Sequence, residues 1–115
     1  MSSNDFEVIA YKILAYLDSC LKSDIEPNIY KAQELTKCSE KYFYVVIASL
    51  LENGYVKGTC FKDAFGETMS VESLNITLDG AIYLKENSTM QKVAKLLGKA
   101  FIPTLKATVT ATQFL

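Results

Sequence analysis

The chain of 115 residues contains no histidine and no arginine. Without histidine it lacks the usual general base, the commonest metal ligand and every nucleophile pair built on an imidazole. Without arginine it lacks the planar guanidinium that binds guanine edges and carboxylates in bidentate fashion. The composition therefore argues against an enzyme, and it removes the side chain that most often reads a DNA sequence.

Cysteine is also scarce, and Cys20, Cys38 and Cys60 are widely spaced and odd in number. This spacing fits neither a disulfide framework nor a metal-binding pair, so we expect three small buried hydrophobic residues and neither metal nor cofactor. No apolar run reaches membrane-spanning length, and the first residues are polar where a signal peptide would begin basic and turn apolar. We therefore expect a cytoplasmic protein without membrane contact.

Apolar spacing and capping residues predict three helices in the first half of the chain. The first covers residues 5–21 behind an Asn4 cap, the second residues 29–35, and the third residues 40–53 between the N-cap Ser39 and the left-handed Gly54. The face of the first helix that we expect to be buried consists of Phe6, Ile9, Ala10, Ile13, Leu14, Leu17 and Leu21.

The second half begins with two β-prone runs, residues 55–61 and 67–76, separated by the turn-like Lys-Asp-Ala-Phe-Gly. They predict a hairpin. Thr77 should then cap a fourth helix over residues 78–87, with the apolar pair Leu78 and Ile82 four residues apart.

A capping box from Ser88 to Gln91 predicts a fifth helix over residues 89–102. The tail after Pro103 has no clear period, which leaves a frayed end or an arm on a partner as alternatives. The order of elements is that of an α+β, mainly helical, winged helix-turn-helix protein with a two-stranded β-wing and a C-terminal helical extension. We expect residues 1–88 to form the winged-helix domain and residues 89–115 to be its packing or dimerisation extension.

The wing exit and the helices that follow it, residues 74–100, contain a pattern of eight residues, Ile76, Thr77, Gly80, Tyr83, Leu84, Glu86, Asn87 and Ser88. This pattern resembles that of the YjcQ-like family of small winged-helix proteins, which occurs in bacteria and in their phages and prophages. The third helix and the wing entry are also similar, so the resemblance covers about residues 11–100. It implies a winged-helix fold, DNA binding and no catalytic residues. The chain departs from the family where Thr-Lys-Cys precedes the third helix, a place where glycine is usual, and again after Phe101.

The third helix presents the expected DNA-reading face. With Phe43, Ile47, Leu50 and Leu51 buried and Val46 at the edge, the helical step of about 100° turns Lys41, Tyr42, Val45, Ala48, Ser49 and Glu52 outward. Glu40 and Glu52 of the same helix would repel phosphates. For the wing, the alternative to a DNA contact is a solvated hairpin of mixed charge. The candidate DNA-binding residues are Lys41, Tyr42, Val45, Ser49, Lys57 and Lys62.

Positive charge is concentrated at the end of the chain: residues 1–84 hold seven lysines against twelve carboxylates, and residues 85–115 hold five lysines against Glu86. The lysine stripe of the fifth helix, at 92, 95 and 99, is typical of a solvated face. The opposite face either forms a homodimer seam or packs on the first helix. Its candidate residues are Val93, Leu96, Leu97, Ala100 and Phe101.

Two functions are consistent with these patterns. The first is a small dimeric winged-helix protein that binds double-stranded DNA and regulates transcription in a phage or prophage. The second is a winged-helix module that binds a protein partner instead of DNA, through the surface around Tyr42, Val45 and Ala48.

Overall fold

The structure, a computed structural model, describes residues 5–66 and 68–115. Its elements confirm the predicted α+β order of three helices, a two-stranded antiparallel wing and a C-terminal helical extension. Each predicted element is present, and in the first half of the chain its bounds differ from the prediction by at most one residue. The elements are α1 (Phe6–Lys22), α2 (Ile29–Thr36), α3 (Glu40–Glu52), β1 (Val56–Lys62), β2 (Thr68–Ile76), α4 (Leu78–Glu86) and α5 (Ser88–Gln113).

Helix α1 lies at the centre of the fold, because all four other helices and β2 contact it. The middle of its predicted apolar face is buried, but Phe6 and Leu21 at its two ends are 39% and 63% exposed, so for these two the prediction was wrong. Residues outside that face, such as Val8 and Tyr16, are buried instead. The expected cap Asn4 lies outside the described residues, and Asp5 occupies the N-cap position.

The caps around α2 and α3 follow from short polar side chains. The Asn28 carboxamide oxygen accepts the N–H groups of the first turn of α2, and the Ser39 hydroxyl accepts the Tyr42 N–H at 3.2 Å, as predicted for an N-cap. Gly54, just beyond α3, has φ +74° and so confirms the left-handed position. Lys37 ends α2 with φ +57°, a left-handed conformation that glycine adopts more easily than lysine.

The wing is an antiparallel hairpin with two irregularities in its register, one between Lys57 and Thr59 and one beside Lys62. At the first, Ser73 has φ +54° and the opposite strand carries Gly58. A Cβ at Gly58 would lie 3.0 Å from the carbonyl oxygen of Glu72, so the close strand approach requires glycine.

A junction that we call the wing base joins the end of α3 to the start of α4. The Thr77 N–H donates to the Tyr55 carbonyl at 3.1 Å, and the Thr77 hydroxyl donates to the Gly54 carbonyl at 2.6 Å and accepts the Gly80 N–H at 3.0 Å. A Cβ at Gly80 would overlap the Tyr55 carbonyl oxygen. The rings of Tyr55 and Tyr83 stack at 4.2 Å. These contacts confirm Thr77 as the cap of α4 and fix the strand ends to the helices.

The apolar pair Leu78 and Ile82 of α4 is 77% and 45% exposed, because α4 turns the side that carries Gly80 toward the wing base. For α5, one prediction was wrong. Helix α5 is not opened by a capping box. Its N-cap is Asn87, whose side-chain oxygen accepts two first-turn N–H groups, while Gln91 donates to the carbonyl of Lys85 in the preceding helix.

Helix α5 is broken at Gly98, whose φ of +62° and ψ of −159° divide it into two segments. The second segment contains Pro103 and runs through the tail, which is therefore helical rather than frayed. It packs inside the same chain: Val109 is buried, and the hydroxyls of Thr112 and Tyr16 are 2.7 Å apart. The C-terminal segment thus completes the core around α1.

The cysteines differ in their surroundings. Cys20 is buried, as expected, and burial raises the pKa of its thiol. Cys38 and Cys60 are partly exposed, so the prediction of three buried cysteines was wrong for these two. Both lie at the edge of the helical core, one in the turn between α2 and α3 and the other in β1.

Candidate nucleic-acid interface

A groove of about 490 Å³, called here the helix-wing groove, lies between α3 and the wing. The residues that α3 turns into it recur every three or four positions and therefore share one helical face. The wing and α1 form its other sides. The groove is lined by Lys41, Tyr44, Val45, Ala48, Ser49, Leu51 and Glu52 of α3, Cys60, Lys62 and Gly66 of the wing, and Phe6 of α1.

The structure brings together four of the six candidate DNA-binding residues. Three of them, Lys41, Val45 and Ser49, come from α3 and the fourth, Lys62, comes from the end of β1. Val45 is 51% exposed and is therefore accessible to a ligand in the groove. A surface with α3 on one side and the wing on the other is thus present where the sequence predicted it.

Tyr42 lies outside the groove. Its ring is tilted against that of Phe6, with 6.5 Å between the ring centroids, on the side of α3 that faces the start of α1. Partial burial raises the pKa of the Tyr42 hydroxyl, and the nearby carboxylates of Asp5 and Glu7 raise it further. Tyr42 is therefore not among the residues that line the groove, and the phosphate contact expected of it stays a prediction.

Lys57 also lies apart from the groove. Side chains alternate between the two faces of a strand, and Cys60 and Lys62 point toward α3. Lys57 differs from both by an odd number of positions and is exposed on the outer face of the wing. The two wing lysines, expected to act together, therefore occupy opposite faces.

Tyr44, Phe6 and Cys60 line the groove but were not among the candidates. Tyr44 is 8% exposed and packs edge-on against Phe43 at 5.5 Å between ring centroids. Its position three residues after Lys41 is the signal that would have placed it on this face. For Cys60, the signal is its spacing of two residues from Lys62 along the strand.

The groove has a charge gradient along α3. Lys41 lies in the first turn, where the helix dipole adds positive potential, and Glu52 lies in the last turn, about 16 Å away at 1.5 Å per residue. Lys62 adds a second cation from the wing. The amino end of the groove thus suits anions, while its middle, with Val45 and Ala48, suits apolar groups.

Three of the residues that carry the wing-exit pattern lie in the wing base, and none of the pattern residues lines the groove. Thr77 caps α4, Gly80 allows α4 to approach the Tyr55 carbonyl, and Tyr83 stacks on the Tyr55 ring. A family model described as YjcQ protein matches residues 11–100, which is most of the chain. The chain belongs to the YjcQ family. No curated protein and no solved structure matches it.

In this member of the YjcQ family, the five packing or dimerisation candidates of α5 divide into two groups. Val93 is fully buried, and Phe101 packs against Tyr11 with 5.9 Å between ring centroids. Leu96 is 52% exposed, Ala100 is exposed and Leu97 is partly exposed. Val93 and Phe101 pack within the chain, which is the alternative to a homodimer seam. Leu96 and Ala100 are accessible to a second molecule.

The break at Gly98 also divides the lysine stripe of α5, because a residue beyond a non-helical position no longer follows the helical spacing.

Within residues 5–66 and 68–115, no group of histidine, cysteine or acidic residues could hold a metal ion. None of the helices in that part of the chain is long and apolar enough to span a membrane.

Proposed function

We propose that this member of the YjcQ family binds double-stranded DNA through the helix-wing groove and acts as a small transcriptional regulator of phage or prophage type. Lys41 and Ser49 meet the major groove from α3, and Lys62 meets the neighbouring backbone from the wing. The observation that carries the proposal is the convergence of these three residues on one surface between α3 and the hairpin. Helix-turn-helix proteins use this arrangement to place a helix in the major groove.

The side chains of the groove are of the kinds that contact bases in the major groove. Lys41 lies in the first turn of α3, and helices that read the major groove contact bases with their amino-terminal residues. The Ser49 hydroxyl can donate to or accept from a base edge. Val45 between them is exposed and can contact a thymine methyl group.

Dimerisation through α5 belongs to the same proposal. Leu96 and Ala100 are exposed on a helix in which Val93 and Val109 are already covered within the chain. A symmetric pair formed through this surface would present two grooves to one duplex, which is how dimeric helix-turn-helix proteins bind two half-sites.

The second candidate function is docking of a protein partner in the same groove. The observation that favours it is the apolar share of the lining, which includes Phe6, Tyr44 and Leu51 as well as the exposed Val45. Aromatic and aliphatic side chains of this kind form the core of protein interfaces. Lys41 and Lys62 would then pair with acidic residues of the partner.

Binding to random-sequence duplex DNA, followed by fluorescence anisotropy at low salt, tests the first function. The variants are Lys41→Glu within the groove and Lys57→Glu on the outer face of the wing, which is the matched control. We expect Lys41→Glu to abolish binding and Lys57→Glu to retain most of it. Absence of binding by the unmodified protein would refute the DNA function and leave the protein partner.

A further inference from the structure

A second cavity, called here the α2-wing cavity, has a volume of about 310 Å³ and lies between the start of α2 and strand β2. None of the described residues lines both this cavity and the helix-wing groove. Its volume is at the lower end of the range of roughly 300–1,000 Å³ found for ligand pockets, so the cavity suits a ligand of one ring or a short chain. Such a ligand would not depend on the proposed binding of DNA.

The floor of the α2-wing cavity is apolar and rigid. Leu17 of α1 is 1% exposed, and Val71 and Leu74 of β2 are 3% and 4% exposed. These residues belong to the core, so the packing of α1 against the wing holds the floor in place. Above it, Pro27 and Ile29 are partly exposed and line the cavity. A ligand with an apolar part would cover these two residues and remove apolar surface from water.

Polar groups on the helical side of the cavity are already hydrogen-bonded. The buried Tyr16 hydroxyl lies 2.7 Å from that of Thr112 and accepts the Asn28 N–H at 3.0 Å. The Asn28 side-chain oxygen accepts the N–H groups of Tyr30 at 2.9 Å and of Lys31 at 3.1 Å. Because the cap occupies these two first-turn N–H groups, they are not offered to an anion, and the helical side presents mainly apolar surface to a ligand.

The charge of the cavity comes from the wing. Glu72 is the one charged residue among the described residues that line the cavity, and it is exposed. It takes part in no ion pair in the part of the chain that the structure describes. Tyr30, on the helical side, also lines the cavity and is 71% exposed, so its aromatic ring lies at the mouth. A carboxylate and an aromatic ring on opposite walls both attract a cation.

We propose that the α2-wing cavity binds a small organic cation, a primary amine carried on an apolar ring or chain. The ammonium group pairs with the Glu72 carboxylate and lies against the Tyr30 ring. The apolar part of the ligand covers Pro27 and Ile29. The ligand thereby contacts both walls of the cavity, α2 and β2.

Three probes test the charge and the apolar part of the ligand separately. They are benzylamine, which is protonated at neutral pH, benzyl alcohol, which has nearly the same shape without the charge, and methylamine, which has the charge without the ring. The readout is the backbone amide signals of Tyr30, Glu72 and Ser73 in nuclear magnetic resonance spectra, with those of Val45 and Ser49 in the helix-wing groove as the reference.

We expect benzylamine to give saturable shifts of the three cavity signals and to leave the groove signals unchanged. Benzyl alcohol should bind about fivefold more weakly, the upper range for the loss of an ion pair that water can reach. Methylamine should bind about tenfold more weakly, because it covers little apolar surface. Absence of a saturable shift with benzylamine, or equal binding of either other probe, overturns the proposal.

Variants assign the cation to the two walls of the cavity. Glu72→Gln keeps the size of an exposed side chain and removes its charge, so we expect a folded protein that binds benzylamine about fivefold more weakly and benzyl alcohol as before. Tyr30→Leu removes the aromatic ring and should weaken benzylamine binding about threefold. Glu86→Gln, at the end of α4, removes the same charge outside the cavity and should bind both probes unchanged. Full benzylamine binding by Glu72→Gln would overturn the proposal.

Discussion

Removing the charge of the groove lysines should change the salt dependence of DNA binding by a calculable amount. Lys41 and Lys62 are the two cations of the helix-wing groove, so the groove neutralises two phosphates. Each contact contributes about −0.9 to the slope of log association constant against log salt, which gives about −1.8 for the groove and an affinity loss of about 12-fold between 50 and 200 mM salt.

The variants Lys41→Gln and Lys62→Gln should each make the slope less negative by about 0.9. A fourfold rise in salt should therefore weaken DNA binding by each variant about 3.5-fold less than it weakens DNA binding by the unmodified protein. Glutamine keeps the length and polarity of the side chain, which confines the change to charge. Lys57→Gln serves as the control within the wing and Lys92→Gln as the control within the basic C-terminal region. Fluorescence anisotropy with one random duplex over four salt concentrations measures all five slopes.

The reasoning would be refuted by a slope that stays the same in both groove variants. If Lys92→Gln lowered it instead, DNA would be held by the lysines of α5, and the groove would be left to a protein partner. Binding with a slope near zero would indicate an interface without phosphate contacts.

Three further predictions concern stability and assembly. Gly80→Ala should cost about 3 kcal/mol in urea unfolding, because its Cβ meets the Tyr55 carbonyl oxygen and not a movable side chain. Tyr16→Phe should cost about 1–2 kcal/mol, because the Asn28 N–H loses its acceptor. Burial raises the pKa of Tyr16 in the folded protein, so Tyr16 contributes fully to stability below the pKa it has in the unfolded chain, and this contribution is lost as pH rises through the pKa of the folded state. The stability of Tyr16→Phe should therefore depend less on alkaline pH. Leu96→Asp should leave the fold intact, since Leu96 is 52% exposed. It should convert a dimer to a monomer, which sedimentation velocity measures. A mass that does not change would exclude Leu96 from a dimer seam.

Helix positions were predictable because local chemistry determines them. Ser39 and Thr77 cap the helices that follow, and Gly54 occupies the left-handed position after α3. The start of α5 was predicted wrongly because two adjacent residues compete for the cap. Ser88 begins a capping-box pattern, but Asn87 both ends α4 and caps α5, and short-range patterns do not rank the two alternatives.

Buried faces were harder to predict than helices, because apolar spacing does not record which neighbour covers a face. Leu78 and Ile82 have helical spacing, yet α4 packs through Gly80, which has no side chain to mark it as a contact. In α3, taking Leu51 as fully buried rotated the expected outer face, so that Tyr42 replaced Tyr44 in the groove.

The site was predicted in part for a similar reason. Alternation along β1 separates Lys57 from Lys62, but the face that meets α3 depends on how the wing leaves α3, which is a tertiary feature.

The wing base ties the two ends of the wing to each other as well as to the helices. Thr77 at the exit is hydrogen-bonded to Gly54 and Tyr55 at the entry, so the chain leaves and re-enters the helical body at one point. Four strand residues, Val56, Val71, Leu74 and Ile76, belong to the core, so the part of the hairpin that can change without displacing α3 or α4 is its outer end. Outer ends exchanged between YjcQ proteins should therefore graft onto an unaltered helical body, which makes them the segment through which one scaffold can acquire different ligands.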